Sequence, residues 1–153
     1  MPSADSITRA LFVSLMKLTS LKRKSSSWYQ FNDATIGVIN LQRSSWGPQY
    51  YINCGVLVRQ LDQIEFPKEH QCHLRCRIES LWKDFPPGAL DDESDLDVHA
   101  RDRALREAIQ QHLLPQLDRW RTYSGIAKSM KSDTFRHMAP VRIKKFLTAV
   151  GLS

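Results

Sequence analysis

The chain has 153 residues, 42% hydrophobic and 25% charged, with a formal net charge of +6; this is the size and composition of one globular domain with apolar material enough for a core. No apolar run approaches the roughly 18 residues that cross a bilayer, and the longest early run, Ala10 to Leu15, is too brief for a secretory segment. Three cysteines make no disulfide framework, so a cytoplasmic protein without membrane association or cofactor is expected.

Ile7, Leu11, Leu15, Leu18 and Leu21 recur every three or four residues and predict a helix over Asp5 to Leu21 with that stripe buried. The run Lys22 to Ser27 breaks it, after which the period changes to two, the mark of strands. Trp28 to Phe31 is a short strand, and Asn32-Asp33 supplies a turn. In Ile36 to Ser44, Ile39 and Leu41 oppose Val38, Asn40 and Gln42; in Tyr50 to Arg59, Tyr50, Ile52, Cys54, Val56 and Val58 oppose Tyr51, Asn53 and Gly55. The clearest alternation runs from Gln71 to Trp82, with Cys72, Leu74, Cys76 and Ile78 on one face and His73, Arg75 and Arg77 on the other.

Asp84 to Asp97 holds Pro86, Pro87, Gly88 and a cluster of acids, and reads as a solvated loop that ends the sheet. Val98, Leu105, Ile109 and Leu113 then form a helical stripe, with Asp102 and Arg106 as an i,i+4 charge pair. Pro115, having no amide hydrogen, must kink or restart this helix before Leu117 and Trp120. A last helix spans Pro140 to Val150, stopped by Gly151, with Ile143, Phe146, Leu147 and Val150 buried. The predicted class is α+β: an N-terminal helix, an antiparallel three- to four-stranded meander, then C-terminal helices packed on the sheet. One domain over residues 1–153 is expected, in three stretches: 1–82, the acidic loop 83–97, and the helical 98–153.

His70, Cys72, His73 and Cys76 lie within seven residues and invite a zinc reading. On a strand, however, Cys72 and Cys76 would stand about 13 Å apart at roughly 3.3 Å per residue, with His73 on the opposite face, so no metal site is predicted. The acids of Asp91 to Asp97 lack the glycine and terminal glutamate spacing of a calcium loop. No phosphate-binding glycine loop, nucleophile elbow or His-Glu-x-x-His motif occurs, and no catalytic residue is assigned.

One constellation stands out. Asn40, Gln42, Tyr51, Asn53, His73, Arg75 and Arg77 project from the outer sheet face and would surround two guanidiniums with amide donors and acceptors. Arginine forks fit carboxylate or phosphate bidentately, so the face suits an anion, unless helices or solvent cover it. Charge is also segregated: acids concentrate in residues 83–97, while Lys128, Lys131, Arg136, Arg142, Lys144 and Lys145 face only Asp133 beyond Arg121. Trp46 with Asp91, Asp92, Glu93 and Asp95 forms a candidate partner interface.

The blocks Trp28-Tyr29, Val38-Ile39-Asn40-Leu41-Gln42-Arg43-Ser44-Ser45-Trp46, Tyr51-Ile52-Asn53-Cys54-Gly55-Val56 and Cys72-His73-Leu74-Arg75-Cys76-Arg77-Ile78 follow one another at characteristic spacing. In this the chain resembles, over about residues 22–82, the bacterial family called domain of unknown function 4304, although Thr19-Ser20-Leu21 stands where that family has a Gly-Phe pair. The resemblance implies a bacterial, cytoplasmic protein with no assigned activity. Two function classes follow. One is a non-enzymatic protein-binding domain of the immunity type, which binds and neutralises a cognate toxin or effector; it rests on fold-level analogy and on charge segregation. The other is an anion- or nucleotide-binding protein using the Asn/Arg face, with the basic C-terminal helices near nucleic acid; the absence of aromatic residues along a basic groove weighs against the nucleic acid.

Overall fold

A computed structural model gives the architecture and describes residues 6–138 and 140–152. The first helix, α1, runs Ile7–Met16 and begins where Ser6 Oγ accepts the Arg9 N–H at 3.1 Å. It is shorter than its stripe predicts, and the predicted start at Asp5 lies outside the described residues. Its buried side is Thr8, Phe12, Leu15 and Met16, whereas Ile7 and Leu18 are 39% and 76% exposed. The cause is Phe12. Its ring meets Trp28 edge-on at 5.4 Å, and seating that large side chain turns the helix by one residue away from the leucine stripe.

Five antiparallel strands follow in the order β1-β2-β3-β4-β5: β1 Lys22–Lys24, β2 Ser27–Phe31, β3 Thr35–Arg43, β4 Tyr50–Val58 and β5 Leu74–Arg77. The meander thus has one strand more than the largest number expected. The basic run read as a helix breaker is itself an edge strand, joined to β2 through Ser25, whose φ of 57° takes the left-handed conformation a tight turn requires. All three residues of β1 are exposed.

The sheet has one helical side and one side covered by a loop. Ile39, Leu41, Ile52, Cys54, Val56, Leu74 and Cys76 face the helices, among them α1, α3 (Val98–Glu107), α4 (Leu114–Arg119), α5 (Tyr123–Met130) and α6 (Val141–Ala149), in one continuous core. A one-turn helix, α2 (Ile78–Leu81), follows β5 directly, so the strand predicted over Gln71 to Trp82 is only four residues long. Gly37 lets α4 sit close: a side chain there would meet Leu117 Cδ2 at 2.8 Å. The far side carries a smaller cluster of Tyr29, Ile36, Val38, Leu57 and Cys72, covered by Ile64 and Phe66 from the β4–β5 connection.

That connection explains a second departure. Cys72 lies on the loop-covered side, away from Leu74 and Cys76, because it precedes β5 and crosses over Gly55. A Cβ at Gly55 would stand 2.9 Å from Cys72 Cβ, so only glycine leaves room for the crossing chain.

Between α3 and α4 the helix continues through a π-helical stretch, Ala108–Leu113, immediately before Pro115, so the helix carries on past the proline with the regular bond pattern altered just ahead of its missing amide hydrogen. The Asp102–Arg106 pair forms at 3.4 Å, and Leu105, Ile109 and Leu113 are buried, but Val98 is 43% exposed at the helix start. In α6, Ile143 and Leu147 are buried, Phe146 partly so, and Val150 is 42% exposed because the helix ends before it. The short, serine-containing α5 was not anticipated.

The acidic loop is not simply solvated. Phe85, Ala89 and Leu90 are buried, and the segment wraps the guanidinium of Arg101, which is 2% exposed. Arg101 Nη1 donates to the carbonyls of Gly88, Ala89 and Asp91 at 3.0, 3.2 and 2.9 Å and to Thr8 Oγ1 at 3.1 Å; Nη2 donates to the Leu96 carbonyl and Ser94 Oγ. Among the described residues no helix is long and apolar enough to cross a membrane.

Candidate functional site

Period-two alternation carries Asn40, Gln42, Tyr51, Asn53, Arg75 and Arg77 to the side of the sheet away from the helices, as expected. Register does the rest. Ser27 pairs Asn40, Asn40 pairs Asn53, and Asn53 pairs Arg77, so four strands contribute one polar row. Asn53, only 4% exposed, donates its amide to Asn40 Oδ1 at 3.0 Å and to Gln42 Oε1 at 2.9 Å, and its Oδ1 accepts Arg77 Nε at 3.4 Å. Asn40 in turn donates to Ser27 Oγ at 3.0 Å. A buried amide is tolerated when its donors and acceptor are engaged, and here they are. Arg77 lies over the Tyr51 ring, 4.0 Å from its centroid.

The other two members are occupied differently. Arg75 makes a two-pronged bond to Glu69, with Nε to Oε1 at 2.7 Å and Nη2 to Oε2 at 3.2 Å. His73 is buried rather than outward-facing: its Nδ1 accepts the Val58 N–H at 2.8 Å, which places the ring proton on Nε2, 2.7 Å from Asp62 Oδ2. Asp62 also takes Arg142 Nη1 of α6 at 2.7 Å. Of the two guanidiniums on this face, only Arg77 lacks a carboxylate partner among the described residues. A cleft of about 510 Å³ opens over these groups, with Ser80 and Pro140 at its rim.

Glu69 and Asp62, which decide the charge of the face, were missed because they belong to the β4–β5 connection, a stretch without periodicity. The sequence does hold one signal of its path, a glycine inside a strand at position 55, which marks a place where other backbone comes close. Hydrogen bonds from His73 and Arg142 hold the Asp62 carboxyl below its usual 3.8. Its contribution to stability is therefore complete above that unfolded value and is lost as pH falls through the lower native one. Urea midpoints measured from neutral pH down to about pH 2.5 should fall less steeply in Asp62→Asn than in the wild type, and the variant should already be less stable at neutral pH.

A second cleft, about 670 Å³, lies between α4 and α5. His112, from the π-helical stretch, stacks flat on Trp82 at 4.8 Å, and buried Gln116 and Ser129 are joined at 3.3 Å. Its cations, Arg119 and Lys128, are exposed, and Gln116 Oε1 is already taken by Arg119. Nothing in the sequence's periodicity marks this place.

The cysteines are buried thiols. Cys54 and Cys76 face each other in the β4–β5 register, and their hydrogen bond together with burial pushes the Cys54 thiol well up; burial pushes Cys72 up to about 12. Among the described residues, no three His, Cys, Asp or Glu side chains come together as metal ligands.

The candidate partner interface is assembled from distant segments. Trp46, on the β3–β4 hairpin, is 96% exposed. The base of that hairpin is tied to the acidic loop by a Gln49–Asp91 bridge and by the Asp92 N–H donating to the Pro48 carbonyl at 3.1 Å. Trp46 and the acids thus share one end of the molecule. Asp92, however, works internally: burial pulls its carboxyl up, but bonds from Ser6 and the Thr8 N–H and the charge of Arg101 outweigh this and leave it lowered. Asp91 accepts the Glu93 N–H at 2.9 Å, and Glu93 and Asp95 are exposed.

No curated protein and no solved structure matches the chain significantly. A family model described as a domain of unknown function (DUF4304) matches residues 21–119. The match extends past the stretch whose motifs carry the resemblance, opening just before β1 and closing on the last residue of α4. It takes in the whole sheet, the Asn/Arg row, the Trp46 hairpin and the acidic loop, and the chain belongs to this DUF4304 family.

Proposed function

We propose that the protein is a non-enzymatic protein-binding domain of the immunity type, which occludes a cognate toxin or effector in the cytoplasm of a bacterial cell. The observation that carries the binding reading is Trp46. An indole 96% exposed on a hairpin whose base is hydrogen-bonded to a second loop is a large apolar group left uncovered on a backbone that is already tied in place. Tryptophan is among the residues that dominate binding energy when a partner desolvates them. Exposed Glu93 and Asp95 beside it reverse the sign of a chain whose net charge is +6, which favours a partner with a basic surface and speeds its approach. The immunity assignment itself rests on analogy with other small α+β binding domains.

The test is co-expression with the effector encoded beside this chain. Cells should survive, and the two proteins should purify as a 1:1 complex. Trp46→Ala should weaken that complex by about 30-fold or more, as loss of a central aromatic anchor does, without changing the thermal midpoint. Survival that does not depend on this chain, or a complex indifferent to Trp46, would remove the proposal.

A further inference from the structure

We infer that the cleft over β4 and β5 is a binding site for the carboxylate of a small organic acid, with Arg77 as its anchor. Three observations lead there. First, the guanidinium is oriented before any ligand arrives. Its Nε is held by Asn53, itself immobilised by Asn40 and Gln42, and its face rests on Tyr51 at 4.0 Å. With Nε engaged, the two terminal nitrogens form a planar fork, the geometry that receives two oxygens side by side.

Second, the charges around the cleft leave one cation over. Glu69 is taken by Arg75, and Asp62 by His73 and Arg142, so Arg77 is the uncompensated charge. A monoanion balances it; a phosphate dianion would leave negative charge beside Glu69. Third, the remaining wall is uncharged, with Cys72, Ser80 and Pro140, and the volume of about 510 Å³ lies in the range of small-molecule sites. The ligand is therefore an acid whose body is neutral. The site is separate from the Trp46 end and does not depend on the protein-binding reading.

The test follows the Arg77 Nε–H resonance, assigned by its absence in Arg77→Lys, during titration with acetate, isobutyrate and inorganic phosphate at constant ionic strength. The carboxylates should shift this resonance and the Asn53 amide pair saturably, with dissociation constants on the order of millimolar, as befits fragments of a few atoms. In Arg77→Lys, which keeps the charge and loses the fork, the shift of the Asn53 amide should report binding at least about tenfold weaker. Trp46→Ala should bind isobutyrate as the wild type does. A linear, unsaturable response, equal affinity in Arg77→Lys, or phosphate binding tighter than either carboxylate would each overturn the inference.

Discussion

Arg101→Met should destabilise the protein by about 3–5 kcal/mol, the range for removing the charged member of a buried hydrogen-bonded network. Methionine fills a similar volume, so the loss reports the hydrogen bonds rather than a cavity. The carbonyls of Gly88, Ala89, Asp91 and Leu96 would each lose a donor; Gly88 keeps the Asp91 N–H and Ser94 Oγ and Asp91 keeps the Ser94 N–H, so the loss falls hardest on Ala89 and Leu96. The guanidinium also connects that loop to α1 through Thr8 Oγ1. Urea unfolding gives the magnitude, and limited proteolysis supplies a second readout: new cleavage should appear within residues 84–97, before any cut in the sheet. Arg101→Lys should recover only a small part, since one ammonium cannot serve acceptors spread over two nitrogens. A loss below about 1 kcal/mol would mean that the loop holds itself together without the arginine.

The second large effect is expected at Gly125. A Cβ there would clash with the Arg119 carbonyl oxygen at far less than van der Waals contact, with Thr122 Oγ1 only 3.4 Å away. Backbone cannot yield as a side chain does, so Gly125→Ala must push α5 off the end of α4. The penalty should sit at the upper end of overpacking, about 3 kcal/mol, which lowers Tm by about 6–12 °C in a chain of this size. Gly47→Ala is the control. Nothing lies within 4 Å of a Cβ at that hairpin position, and its Tm should stay at the wild-type value.

β3 and β4 were legible because both are long and bounded by turn residues, so a period of two assigned each side chain to a face even though both faces are largely buried. Asn40, Gln42, Tyr51 and Asn53 are therefore placed together by the sequence pattern alone. Cys72 could not, because its alternation with Leu74 is a coincidence of sequence across the end of a strand. Lys22 to Lys24 failed for a different reason. An edge strand exposed on both faces has no apolar member, and periodicity reports nothing when nothing is buried. In α1 the stripe of smaller aliphatic residues was the more regular, but Phe12 had the larger surface to bury. Arg101 lies on a helix among other charged residues, and nothing in the spacing distinguishes it from them; its role exists only once a loop folded against α1 presents carbonyls to it.

The exposed edge at β1 bears on how copies of this molecule meet. An antiparallel sheet ending in an unpaired strand is open to extension by a neighbour. Two such edges brought together would set Lys22, Arg23 and Lys24 of one molecule against the same three cations of the other. Self-pairing is repelled while the Debye length, about 8 Å at physiological ionic strength, exceeds the spacing of roughly 5 Å between strands. The basic run thus keeps a sheet that grows by hairpins from continuing to grow between molecules.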